Sequence, residues 1–377
     1  MKDRKELVEV CLFSAASHNG VCTMKFSVSL TLDRRSDAED MRGVIRHTLE
    51  MAQLAEQAGF EIVWVGEHHT IEANIGPAPF QMLTQMAEHT DRIRLGTACV
   101  VAPYWHPIKL AGEAAFFDQL SGGRLELGIG RGAYQYEFDR MAGGVPQKQG
   151  FAYMQELVPA MEALWGGDYA HEGAYWSFPT STSVPKPLQS KIPIWIAARD
   201  PASYNWAVAQ GYNIHSWAIT RPFSEFLAYR QRFEDAFAAS KLARRPRFMT
   251  MRHTHVYDRP DGLKLAVDAL IDRSGLFENL FKTDGGVVNG FPLSHDVFSS
   301  SNSEEYAIES LRENLIFGSP AEVIAKLKLY EAAGVDNFCY YAGFGLSREE
   351  QKRSLELFGR EVIPAFENAG ESRREVG

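Results

Sequence analysis

Cysteine is scarce in this chain: Cys11, Cys22, Cys99 and Cys339 are scattered over 377 positions and form no CxxC pair. That usage argues against a disulfide framework or a zinc ribbon and fits a reducing compartment. Runs of basic residues are also missing. Beyond Arg244-Arg245-Pro246-Arg247 no lysine or arginine cluster stands out, and 39 basic against 48 acidic residues leave a formal charge of −9. Neither nucleic acid nor an anionic membrane is therefore an expected partner. The apolar piece Val8 to Ala16 is too short to span a bilayer, and Asp3, Glu6 and Glu9 in and beside it do not suit a signal peptide. No GxGxxG fingerprint and no HExxH spacing occur. These absences leave a cytoplasmic enzyme-like protein, expected to be one large domain at this length.

The most informative segment is Ile62 to His69, IVWVGEHH. A fully apolar run of strand length ends in a carboxylate and two imidazoles, ahead of the polar loop Thr70 to Gly76. Such a run suits a strand buried on both faces of a parallel sheet. In closed α/β barrels the C-terminal rim gathers the catalytic groups, so chemistry is expected near His68. Imidazole as a group suits proton transfer, although a structural histidine bonded at the rim fits the residues equally well. Adjacent residues on an extended chain point to opposite faces, so His68 and His69 are not expected to share a metal ion, and no metal site is predicted.

Strand and helix signals alternate along the chain. Strands are predicted at Met24 to Leu32, Glu61 to Gly66, Ile93 to Val101, Arg124 to Gly130, Pro193 to Ala198, Ile214 to Ala218, Phe248 to Tyr257 and Asn337 to Tyr341. Helices are predicted between them, including Ala38 to Ala58, Gln81 to His89, Ile108 to Leu120, Tyr153 to Trp165, Ala202 to Gln210, Phe223 to Ala239 and Pro320 to Ala333. Eight βα-type strands favour a barrel. Two segments break the rhythm: His171 to Pro187, read as an inserted loop or hairpin, and the Gly- and Ser-rich Lys282 to Asn302, read as a lid or a surface excursion.

Two rim segments carry anion-binding chemistry. Gly130-Arg131-Gly132 follows the fourth strand, where arginine offers a planar fork to phosphate and glycine lets backbone approach a ligand. Arg199-Asp200-Pro201-Ala202-Ser203 follows the fifth strand and reads as a helix start with Asp200 at the cap. Cys99 is read as a packing residue, and Tyr104, Trp105, Tyr134, Tyr136 and Trp217 are candidate rim aromatics.

With these pieces in order, Met24 to about Glu367 resembles the bacterial luciferase family of flavin-dependent monooxygenases, and its α subunit in particular. The resemblance rests on MKFSVSL, AEQAGFEIVWVGEHHT, LGTACVVAPYWHP, FFDQLSGGRLELGIGRG, Trp206 to Gly211, GSPAEVIAKL and GVDNFCY. It implies a (β/α)8 TIM barrel over 24–370 with insertions after strands 4 and 7, an extension at 1–23 and a tail at 371–377. It further implies reduced FMN from a separate reductase, O2 as co-substrate, and a flavin hydroperoxide that attacks a small organic substrate. His68 matches the active-site histidine, Ala98-Cys99 a non-prolyl cis peptide against the flavin ring, Arg131 the phosphate-binding arginine and Ser203 a phosphate-binding hydroxyl. Tyr134, Arg199 and Trp217 complete the expected cofactor site. Here the chain departs from the luciferase: Gly130 replaces a reactive cysteine, Glu137 an aspartate, Arg199 an acid and Asp200 a small hydroxyl residue. A homodimer is expected through the faces of Gln81 to Ala87 and Ile108 to Leu120. The alternatives are a deazaflavin (F420)-dependent hydride-transfer enzyme on the same barrel and a non-catalytic flavin-binding protein.

Overall fold

The computed structural model describes residues 23–282, 285–299 and 303–371. Eight parallel strands form its centre: β1 (Lys25–Leu30), β2 (Ile62–Val65), β3 (Arg94–Thr97), β4 (Leu125–Gly130), β5 (Ile194–Ala197), β6 (Asn213–Trp217), β7 (Phe248–Val256) and β8 (Asn337–Tyr341). Each pairs with the next, and β8 pairs back to β1 with Lys25 opposite Asn337, so the sheet closes into a barrel. The strands are short and almost wholly buried, because helices cover the outside while side chains fill the inside.

Strand alternation sorts the residues between two cores. On β2, Ile62 and Trp64 belong to the barrel interior with Trp195, Met249, Met251, Cys339 and Tyr341, whereas Val63 and Val65 pack outward against helices with Phe338 and Tyr340. Trp64 and Trp195 meet edge to face at 5.6 Å and plug the barrel. That plug depends on Gly96, where an added Cβ would lie 2.3 Å from the Trp64 ring. Period two then carries the inward direction beyond the plug, to Gly66 and His68 after β2, Gly130 at the end of β4, Arg199 after β5, Trp217 on β6, His253 on β7 and Tyr341 on β8.

The strand predicted over Ile93 to Val101 is interrupted after Thr97 and resumes at Val100–Val101, with a cis peptide between Ala98 and Cys99 at the break. The first irregular segment is an antiparallel hairpin, Tyr169–Glu172 with Ser177–Ser181, following helix Gly150–Gly166. The second contains a two-stranded hairpin, Val287–Val288 with Phe291–Pro292, whose Gly290 carbonyl accepts from the Glu72 N–H. Residues 283–284 and 300–302 of that segment lie outside the described residues, as do 1–22 and 372–377, which hold almost all of the expected extension and tail. Several elements have no counterpart in the sequence reading, among them helix Gln135–Met141, helix Gly262–Leu280 and strand Ile316–Gly318, which pairs with the far end of β7. Among the described residues no helix is long and apolar enough to cross a membrane.

Candidate active site

A cavity of about 270 Å³ opens at the C-terminal ends of the strands. Strand alternation supplies its floor and walls, and helix Gly262–Leu280 leans over it. Leu270, Arg273, Ser274, Phe277, Glu278 and Phe281 line the roof at three- and four-residue spacing. None of the described residues of 285–299 lines the cavity, and this helix covers it.

His68 reaches the cavity from β2, and its backbone N–H donates to the Gly76 carbonyl. Its Nδ1 lies 3.1 Å from Oε2 of Glu137, which is almost fully buried and also accepts the His69 N–H at 2.7 Å. With Glu137 ionised, a carboxylate can only accept, which places the proton on Nδ1 and leaves Nε2 as the ring's acceptor. The Tyr134 ring packs beside His68 at 5.6 Å and meets Phe277 and Phe281 on the roof. Burial and the neighbouring Glu137 push the Tyr134 phenol well above its ordinary value, so it stays protonated.

His69 turns the other way. Its Nε2 pairs with Glu67 at 2.9 Å, and Glu67 also accepts from the Val101 N–H and the Trp105 indole. This buried carboxylate braces the wall at Ala98-Cys99, whose Ala98 N–H and Cys99 carbonyl bond to Val65 and Glu67. Burial, with Glu67 adding to it, pushes the Cys99 thiol up to about 12, which agrees with a packing role rather than a nucleophilic one.

Arg131 and Arg199 both line the cavity beyond β4 and β5. Gly132 holds φ at +84°, and a Cβ there would lie 2.5 Å from Phe138, so the turn behind Arg131 requires glycine. Arg131 pairs with Asp200 at 3.1 Å, and Asp200 caps helix Pro201–Ala209 by accepting both the Ser203 N–H and its hydroxyl. Ser203 is buried and absent from the cavity lining, so a phosphate reaches it only if Asp200 yields. Trp217 lines the cavity, packs against Tyr341 and His253, and leaves its indole N–H buried without a partner among the described residues.

The groups present fit a flavin mononucleotide. Two guanidinium groups stand at one end, a wall of small residues follows, and a histidine held by a carboxylate faces the space beyond. The roof residues and the Glu137 contact were not found from the sequence. In hindsight Leu270, Arg273, Phe277 and Phe281 show a signal: a charged residue inside an otherwise apolar helical stripe.

Fold and site together define an α/β-barrel oxidoreductase with its pocket at the strand C-termini. The family model described as luciferase-like monooxygenase matches residues 24–337, and the chain belongs to that family. It is 38% identical over 356 residues, covering 94% of this chain and 98% of the relative, to the oxygenase component of a flavin-dependent trigonelline monooxygenase from Acinetobacter baylyi. Similarity extends to an F420-dependent glucose-6-phosphate dehydrogenase from Rhodococcus erythropolis, 26% identical over 86% of this chain and 95% of the relative. In fold alone, the chain is similar to the monooxygenase RslO1 from Streptomyces bottropensis, with a TM-score of 0.75 and 24% identity over 91% of this chain and all of the other.

Proposed function

We propose that this chain is the oxygenase component of a two-component monooxygenase. It takes reduced FMN from a separate reductase in the cytoplasm and places one oxygen atom of O2 on a small planar aromatic substrate, the other leaving as water. When bound, reduced FMN supplies the electrons that make dioxygen reactive. The observation that carries this reading is the His68–Glu137 pair, facing the same cavity as the Ala98-Cys99 wall and the two arginines.

The chain's own residues divide the work. Arg131 and Arg199 bind the phosphate, with Asp200 giving up Arg131 to it. Small side chains at Ala98 and Gly130 let the flavin ring approach the wall. His68 holds or delivers a proton through Nε2, and Glu137 fixes its tautomer and ring plane. Tyr134, Phe277 and Phe281 exclude water over the reacting centre. The extensive similarity to a trigonelline monooxygenase component supports a heteroaromatic substrate, since trigonelline is a planar pyridinium carboxylate.

We also place the protein in a homodimer. Phe116 and Leu120 on helix Pro107–Leu120 are exposed, and Gln119 bonds to the Lys186 carbonyl, bringing exposed Val184 and Leu188 close to the same helix. Light scattering at micromolar concentration checks this, and a monomer throughout would refute it.

The functional test uses reduced FMN, reduced riboflavin and reduced deazaflavin F420 in anaerobic titrations, followed by ¹⁸O2. Preference for FMN and one ¹⁸O atom in the product support the reading. Tighter binding of the deazaflavin with no ¹⁸O incorporation would replace it with hydride transfer.

A further inference from the structure

The geometry points to Arg273 as the anchor for a carboxylate on the substrate, so that the oxygenated compound is a planar aromatic acid. This assignment rests on the proposed monooxygenase reading.

The barrel separates two cationic stations. Arg131 and Arg199 follow β4 and β5, whereas Arg273 pairs at 2.6 Å with Asp33, just beyond β1, and lies against Tyr341 at the end of β8. In a closed eight-stranded ring, β8 and β1 lie across from β4 and β5. Arg131 and Arg199 would hold the phosphate of a flavin, and Arg273, on the other side of the ring, lines the rest of the cavity.

Arg273 is built for an anion. Its side chain is only 6% exposed yet lines the cavity, and its Nε has no partner among the described residues. Asp33 does not consume the guanidinium, because its bond to Arg273 uses one nitrogen, Nη2. A planar fork with several N–H groups retains capacity for a second carboxylate. Neither imidazole on the cavity floor competes: burial lowers His215 to about 4 and His253 to about 3, so both stay neutral. The guanidinium lies 4.6 Å from the Phe277 ring centre, and Phe277 stacks with Tyr134 at 6.3 Å, so an aromatic surface borders the anion site and favours a flat ring.

The test uses the whole protein saturated with FMN. Pyridine-3-carboxylate and its N-methyl derivative are titrated calorimetrically beside the matching carboxamides, which keep the shape and remove the charge. The parent is expected to bind each carboxylate roughly ten- to a hundredfold more tightly than its carboxamide, as a charge-assisted bond implies. Arg273→Gln should bring that ratio near one, and Arg273→Lys, which keeps charge without the fork, should restore part of it. Equal binding of acid and amide by the parent, binding of neither, or an unchanged ratio in Arg273→Gln overturns the assignment. Because the parent's own ratio is decisive, a variant that fails to fold does not remove the test. A parent that takes up no FMN overturns the proposed function and this assignment with it, whereas one that takes up FMN without discriminating acid from amide overturns this assignment alone.

Discussion

Glu137 holds His68 from 69 residues away in sequence, Oε2 to Nδ1 at 3.1 Å, and the same carboxylate receives the backbone N–H of His69. One buried acid thus fixes both the ring and the chain that carries it. Glu137→Gln preserves shape but removes the demand for a proton on Nδ1. Oxygenated product per reduced flavin should fall about 10- to 100-fold while hydrogen peroxide rises. Product and peroxide measured in the same reaction decide this, and an unchanged ratio would make the contact purely structural.

Asp200 holds the Arg131 guanidinium that the proposed phosphate would take. Arg131→Ala should reduce the preference for FMN over riboflavin by about tenfold, whereas Asp200→Asn should strengthen FMN binding by removing the carboxylate that now occupies the guanidinium. Fluorescence titration with both flavins measures the two effects. Weaker FMN binding in Asp200→Asn would show that the cap on helix Pro201–Ala209 matters more than the competition.

Acid should destabilise the fold through its buried imidazoles. His255 is buried with both ring nitrogens unpartnered among the described residues, and burial, followed by the nearby Arg259, lowers it to about 4 from 6.5. A depressed histidine means that the unfolded chain binds more protons below pH 6.5, so stability is full above that value and falls as pH drops toward 4. His255→Gln removes one such site and should recover about 1–3 kcal/mol of the acid-dependent loss. Denaturant midpoints at pH 7.5 and 4.5 test it; equal pH sensitivity in both proteins would reject this role for His255.

The roof predicts a leak. Phe281 is half exposed, meets Tyr134 at 4.9 Å and lines the cavity. Phe281→Ala should open a water path and raise the peroxide fraction severalfold with little change in melting temperature. An unaltered peroxide yield would move the water barrier elsewhere, for instance to the hairpin beside Glu72.

Much of the site was legible because one strand at a time determines it. IVWVGEHH announced a buried strand with His68 at its mouth, and the two-residue period aimed Ile62, Trp64, Gly66 and His68 to one side. Local rules likewise marked Asp200 as a helix cap. Arg273 escaped because a helical charge pattern does not say which cavity a helix overhangs.

The sequence by itself determined the alternation of strands and helices and the separate positions of His68, Arg131 and Arg199, since these follow from periodicity and turn chemistry, while its ordered motifs carried the family resemblance. Only the tertiary structure decided that Glu137 meets His68, that Asp200 already holds Arg131, and that a helix about two hundred residues beyond His68 roofs the cavity. Those contacts depend on which strands pair as neighbours and on closure of the ring between β8 and β1, and closure is a property of all eight strands together rather than of any one of them.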